Sequence, residues 1–236
     1  SNTKTICSLT NHSYFHLNGH HSQEGERMLT NTDNHILQLY SDKYLPISET
    51  FIPTGEKRQV RGDAKGEIAP FDFTSPKPLC LPSGWKDSNP KHQHYQHLSQ
   101  LQLANGFDHS FILDLPSSLP PPLLPFLCRK SPSAPTADVK HVATVKGGGE
   151  GGIQMDVWTD RPAMQLYSSN FVDLDGKGLK NFSYKKRCAF CLETQSYPNA
   201  VNNPSFPSIC ISPSNPFSST TLYSFSISEE SENTPL

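Results

Sequence analysis

Two short polar motifs near the ends of the chain hold the residue types best suited to proton transfer: Asn11-His12-Ser13-Tyr14-Phe15 and Cys191-Leu192-Glu193-Thr194-Gln195. One supplies an imidazole, the other a carboxylate. At neutral pH a carboxylate is ionised and accepts a proton, whereas an imidazole titrates near that pH and can deliver one. A His and a Glu that meet across a cleft therefore suffice to open and reclose a cyclic sugar hemiacetal. In that reaction a carboxylate suits withdrawal of the anomeric hydroxyl proton and an imidazole suits protonation of the ring oxygen, with no cofactor, which makes Glu193 the candidate base and His12 the candidate acid. Each group must reach its proton within about 2.6 to 3.2 Å, so the elements carrying them have to converge in space.

Short strand-like runs recur along the chain: 6–9, 35–40, 110–113, 139–145, 153–159, 163–167, 189–194 and 221–227. In the run 153–159, Ile153, Met155 and Val157 alternate with Gln154 and Asp156, the period of a strand with one buried face. No window of a dozen residues keeps a 3.6-residue period. Many short strands separated by Gly, Pro, Asn and Asp predict an all-β fold, an antiparallel β-sandwich spanning residues 1–236 as a single domain.

Composition removes several function classes. The net charge of −2 gives no positive field for a phosphate backbone or an anionic membrane, so neither nucleic acid nor membrane is an expected partner. No stretch approaches the ~20 apolar residues of a spanning helix, and Leu115 to Leu127, the greasiest run, is cut by five prolines. The first residues lack a basic segment followed by an apolar one, which makes cytoplasmic residence the expectation. Six cysteines in 236 residues are too sparse for a disulfide scaffold. Cys188 and Cys191 have C-x-x-C spacing, but positions i and i+3 of a strand face opposite ways, and the expectation is two buried, reduced thiols and no metal.

Two segments break the strand pattern. Residues 75–102 are polar and rich in Pro, His and Gln, and residues 116–135 hold seven prolines. Both read as insertions, the second as an irregular Pro-rich excursion. His92, His94 and His97 in the first read as a solvated loop, because no carboxylate or cysteine stands at ligand spacing. Lys146 to Gly152 lies between two strand runs, has neither the Gly-Lys-Ser/Thr ending of a phosphate loop nor a following helix, and reads as a hairpin connection.

The motifs recur in a recognisable order. Asn11 to Leu17, Asp42 to Pro46, Ile52 to Glu56, Pro70 to Phe73, Gly106 to Phe111, Ala163 to Asn170 and Cys191 to Ser208 together resemble the aldose 1-epimerase, or galactose mutarotase, family, with His16 where the family carries Asn. The resemblance covers most of residues 5–227 and implies a galactose mutarotase-like supersandwich. It also implies that His12 is the general acid, that Glu193 is the general base, and that Asp108 and Gln165 hydrogen-bond the hydroxyls of a monosaccharide such as galactose or glucose. Planar polar side chains of this kind accept and donate at fixed geometry.

Family members resembling this chain carry a further leading segment with an Asn-Arg pair and a His-Gly-Gly sequence, neither of which occurs here. Two expectations follow. Substrate is held less firmly, one lost contact of this kind costing about 10² to 10³ in rate. Sheet edges are left unpaired, which favours instability or self-association. Three functions remain open from sequence: anomer interconversion by His12 and Glu193, sugar binding without turnover in an impaired relative, and glycoside hydrolysis by Asp108 and Glu193.

Overall fold

The computed structural model describes residues 2–20, 30–61, 69–87, 95–113, 139–148, 152–176 and 181–227. The Pro-rich segment 116–135, together with His92 and His94, lies outside the described residues.

The run whose alternation was plainest forms a strand over the predicted span. Strand β8, Ile153–Thr159, buries Met155, Val157 and Thr159 and turns Gln154, Asp156 and Trp158 outward. It pairs antiparallel with β7 (Lys140–Lys146) on one side and β12 (Thr221–Ile227) on the other. Strands β7 and β8, consecutive in the chain, pair antiparallel, and the Gly147 N–H donates to the Ile153 carbonyl at 2.9 Å. Strands β2 (Ile36–Leu39) and β5 (Lys77–Pro78) complete this sheet in the order β12-β8-β7-β2-β5.

After β8 the chain crosses at Asp160-Arg161-Pro162 into β9, Ala163–Tyr167, an interior strand of a second sheet. Its order is β10-β9-β6-β3-β4, with β10 at Cys191–Gln195, β6 at Asp108–Ile112, β3 at Lys43–Leu45 and β4 at Arg58–Gln59. A two-stranded pairing of β1 (Thr5–Ile6) with β11 (Cys210–Ile211) stands apart. Every pairing is antiparallel, so the fold is the all-β sandwich that alternation predicts.

The two sheets meet through one continuous apolar core. Leu37, Leu39, Val145, Met155 and Val157 from the first sheet join Tyr44, Phe111, Met164, Leu166 and Leu192 from the second. Leu166 is fully buried, and its truncation to Ala costs about 2 to 5 kcal/mol by lost transfer energy and residual cavity. Because strand side chains alternate, pointing Met164, Leu166 and Leu192 into this core forces Gln165, Tyr167, Cys191 and Glu193 onto the opposite face.

Residues 75–102, read from sequence as a polar insertion that interrupts the strand pattern, contain regular structure in their described part. They include β5 and helix α1, Tyr95–Ala104. Leu98, Leu101 and Ala104, at threefold spacing, face the core, while the two buried polar residues find long-range partners. His97 Nδ1 meets the Tyr44 hydroxyl at 3.1 Å, and the Gln100 amide clamps both the N–H and the carbonyl of Ile47 at 2.7 and 3.1 Å. His97 is therefore an interior residue and not part of a solvated loop.

Helix α1 ends on a left-handed Asn105, after which the Gly106 N–H donates to the Leu101 carbonyl at 2.9 Å. Gly106 has φ 143°, and a Cβ there would collide with the Asn170 side chain. Asn170 in turn donates to the carbonyls of Ala104 and Phe107 at 2.8 and 2.9 Å. This packed turn launches β6 and so fixes Asp108. At the far edge of the other sheet, β12 pairs only with β8 among the described residues, and its Phe225 and Ile227 are exposed.

Candidate active site

Strand register assembles most of the site. Across the second sheet Glu193 stands opposite Gln165, and Gln165 opposite Ser110, so three polar side chains form one row on the face turned from the core. The adjacent row is Cys191, Tyr167 and Asp108. Hydrogen bonds lock the rows together. Gln195 donates to the Ser110 hydroxyl at 3.4 Å, Ser110 donates to Gln165 Oε1 at 2.7 Å, and Gln165 Nε2 donates to Asp108 Oδ1 at 2.7 Å. The relay fixes which way the Gln165 amide points, and it presents Asp108 to the cavity as an acceptor.

His12 arrives from outside the sheet. The segment carrying it runs beside β10, where Phe15 and Phe190 exchange backbone hydrogen bonds of 2.8 and 3.0 Å and the Thr10 hydroxyl donates to the Thr194 carbonyl at 3.0 Å. The Phe15 ring packs against Phe190, Tyr223 and Phe225, and the Leu17 N–H donates to the buried His35 Nε2 at 2.9 Å. Since His35 accepts that bond, its ring is neutral, in line with a pKa that burial, reinforced by His16, pushes down to about 4. So anchored, His12 places Nε2 at 3.4 Å from Glu193 Oε1. Its ring stacks on Tyr14 and meets the edge of Tyr167.

All four residues singled out in the sequence, His12, Asp108, Gln165 and Glu193, line one cavity of about 390 Å³, within the range of small-ligand sites. One expectation is corrected: His12 and Glu193 do not face each other across the cleft but touch side by side on one wall. That suits hemiacetal chemistry, because the anomeric hydroxyl and the ring oxygen are bonded to the same carbon. Sequence reasoning missed Ser110 and Gln195, which share strand parity with Asp108 and Glu193 and were findable on that signal. It also missed Phe51 and Phe171, exposed rings 6.2 Å apart at the rim. No local pattern marks them, since Phe51 is held at φ 62° by its turn.

Electrostatics distinguish the two carboxylates from solvated ones. Burial raises the Glu193 pKa and the Asp108 charge raises it further, while His12 lowers it in part. Burial likewise raises Asp108, opposed by the Gln165 hydrogen bond and by His12. A carboxylate with a raised pKa is a stronger base once ionised. Burial also drives the Cys191 thiol well above its ordinary value, so it stands protonated at neutral pH, and Cys188 shifts the same way. Both are buried free thiols, Cys191 at the start of β10 and Cys188 in the bend before it.

The described part of the chain is thus a β-sandwich with a histidine–carboxylate cleft on the open face of one sheet. A family model described as aldose 1-epimerase matches residues 1–224. Human galactose mutarotase is 34% identical over 223 residues, 94% of this chain and 51% of that protein. Aldose 1-epimerase of Escherichia coli K12 is 28% identical, over 92% of this chain and 50% of the relative. A solved aldose epimerase homologue from C. elegans superposes with a TM-score of 0.61 at 22% identity, covering 97% of this chain and 54% of that one. The chain belongs to the aldose 1-epimerase family, and it spans about half the length of the curated relatives it matches. Among the described residues no helix is long and apolar enough to cross a membrane.

Proposed function

We propose that this chain interconverts the α and β anomers of an aldohexose, galactose or glucose, with Glu193 as general base and His12 as general acid. The observation that carries the proposal is the 3.4 Å contact between the two groups at the wall of a cavity also lined by Asp108 and Gln165. Glu193 removes the proton from O1, the C1–O1 bond gains double-bond character, the C1–O5 bond breaks, and O5 takes a proton from the His12 imidazolium. Rotation about C1–C2 presents the other face of the aldehyde. Closure returns the O5 proton to His12 and the Glu193 proton to O1, which restores both groups with no external reagent.

Asp108 and Gln165 hold hydroxyls of the ring, Asp108 by accepting and Gln165 through the donor and acceptor of its fixed amide. General acid–base transfer contributes about 10² to 10⁴ per group. Anomer exchange followed by polarimetry on the chain and on Glu193→Gln tests the assignment: loss of exchange with an unchanged fold supports it, and a variant as active as its parent overturns it. Galactose binding without exchange in the parent selects the alternative reading, a sugar-binding relative without turnover. The exposed outer edge of β12 motivates self-association, which sedimentation velocity across a concentration series checks.

A further inference from the structure

Beneath the histidine–carboxylate pair the same strand face carries a thiol that the anomer chemistry does not use. Cys191 precedes Glu193 by two residues, so both project to one side of β10, and both are buried. A ring nitrogen of His12, Cys191 Sγ and a carboxylate oxygen of Glu193 all lie within 4.8 Å of one another. We propose that these three side chains form a binding site for a borderline-soft divalent transition metal, Zn²⁺ above all, and that metal there inhibits the protein. The binding rests on this geometry alone. The inhibition rests on the acid–base reading given above.

Imidazole nitrogen, thiolate sulfur and carboxylate oxygen are the ligand types of zinc, and three protein ligands with an open fourth position form a recurring arrangement. With bonds of about 2.0 to 2.3 Å, the ligand atoms of a tetrahedral zinc stand ~3.3 to 3.6 Å apart. His12 and Glu193 are already at 3.4 Å, so the adjustment falls on the approach to sulfur. His12 supplies it: its side chain is 50% exposed and rides on a segment outside the strands, while Cys191 and Glu193 are fixed in β10. His12 and Glu193 line the cavity, from whose side water would complete the coordination.

Asp108 interacts electrostatically with all three ligands and adds negative potential that favours a cation. The thiol selects the metal, because Mg²⁺ and Ca²⁺ require oxygen ligands. The step balances without an oxidant: the Cys191 S–H proton leaves to solvent as the metal–sulfur bond forms. Once bound, the metal occupies the His12 lone pair and a Glu193 oxygen, so neither can exchange a proton with a sugar, and sugar and metal compete.

Titration of the purified chain with Co²⁺ reads the site independently of activity, through the near-ultraviolet thiolate-to-cobalt charge-transfer band. The expected result is a 1:1 band that Zn²⁺ displaces and Mg²⁺ does not, with loss of anomer exchange that a chelator restores. Cys191→Ala removes the band, and Cys191→Ser, which keeps the side-chain size, weakens Zn²⁺ binding by more than ~10-fold, since loss of a supporting outer-shell contact alone costs about that much. The chain holds other thiols, exposed Cys80 and Cys210 among them, and a band that survives Cys191→Ala places the metal on one of these and overturns the proposal. No thiolate band in the parent, or equal Zn²⁺ affinity in parent and Cys191→Ser, also overturns it. A band in a chain that shows no anomer exchange supports the metal site and removes the epimerase reading instead.

Discussion

Each sheet of the sandwich carries, on the face turned from the core, a carboxylate paired with a histidine, and the two pairs differ in their surroundings. On the first sheet, His141 Nε2 lies 3.0 Å from Asp156 Oδ1, the Thr144 hydroxyl donates to the same oxygen at 2.6 Å, and Gln154 donates to Oδ2 at 2.7 Å. His141 is also stacked on Trp158, at 4.7 Å. Burial raises the Asp156 pKa, but the three hydrogen bonds outweigh it and leave the carboxyl below its ordinary value. On the second sheet no described residue hydrogen-bonds the Glu193 carboxylate; His12 stands 3.4 Å away at the wall of a cavity, and the pKa is raised. The residue types are nearly the same. On the proposed acid–base reading, what separates a structural pair from a reactive one is whether the carboxylate oxygens are already satisfied, because a saturated carboxylate is a weak base with no room for a substrate proton.

The largest expected difference is a crossed pair of variants. Glu193→Gln lowers anomer exchange by about 10² to 10⁴ and leaves the melting temperature near that of the parent. Asp156→Asn leaves exchange unchanged and lowers stability by about 1.5 to 3 kcal/mol, the worth of hydrogen bonds to a charged group. Polarimetry and thermal unfolding on the same preparations decide it, and similar behaviour of the two variants breaks the comparison.

Gln165→Ala comes next. It removes a donor to Asp108 and the amide that the relay holds in place, so sugar affinity falls by about tenfold, or ~1.4 kcal/mol. Calorimetric titration with galactose measures it.

The pairs also titrate in opposite directions. Glu193, raised in the folded state, costs stability above the ordinary carboxylate pKa of 4.5, and that cost is relieved as pH falls through its folded value. Asp156, depressed, contributes stability above 3.8 that is lost as pH falls through its folded value. Carboxyl NMR titration should place Glu193 above 4.5 and Asp156 below 3.8, with the acid limb of the exchange rate following Glu193. Coincident titrations would remove the distinction.

The smallest expected effect lies at His35, the acceptor that anchors the His12 segment through the Leu17 N–H. His35→Leu leaves that donor unsatisfied, at about 1 to 3 kcal/mol, and slows exchange more than it weakens sugar binding. His35→Gln, which can restore an acceptor, recovers part of the rate, and the acid limb stays put in both. No rescue by Gln would assign His35 to packing alone.

Alternation and turn residues place 153–159, 163–167 and 221–227 within the strands observed there, and parity along 163–167 and its two neighbouring strands β10 and β6 accounts for the row of Glu193, Gln165 and Ser110. Helix α1 escaped because its apolar stripe is only Leu98, Leu101 and Ala104, and because His97 and Gln100 are satisfied by Tyr44 and Ile47, partners far away in sequence. The same limit hid the difference between the two histidine–carboxylate pairs. Sequence alone determined the residue types, the strand period and hence the face on which each side chain stands, since these depend on local geometry. Tertiary structure decided that His12 lies against Glu193, that Cys191 lies beneath them, and that Asp156 is saturated while Glu193 is not. Those facts depend on which segments pack side by side and on what that packing leaves open to the cleft, and neither is encoded in any local stretch of chain.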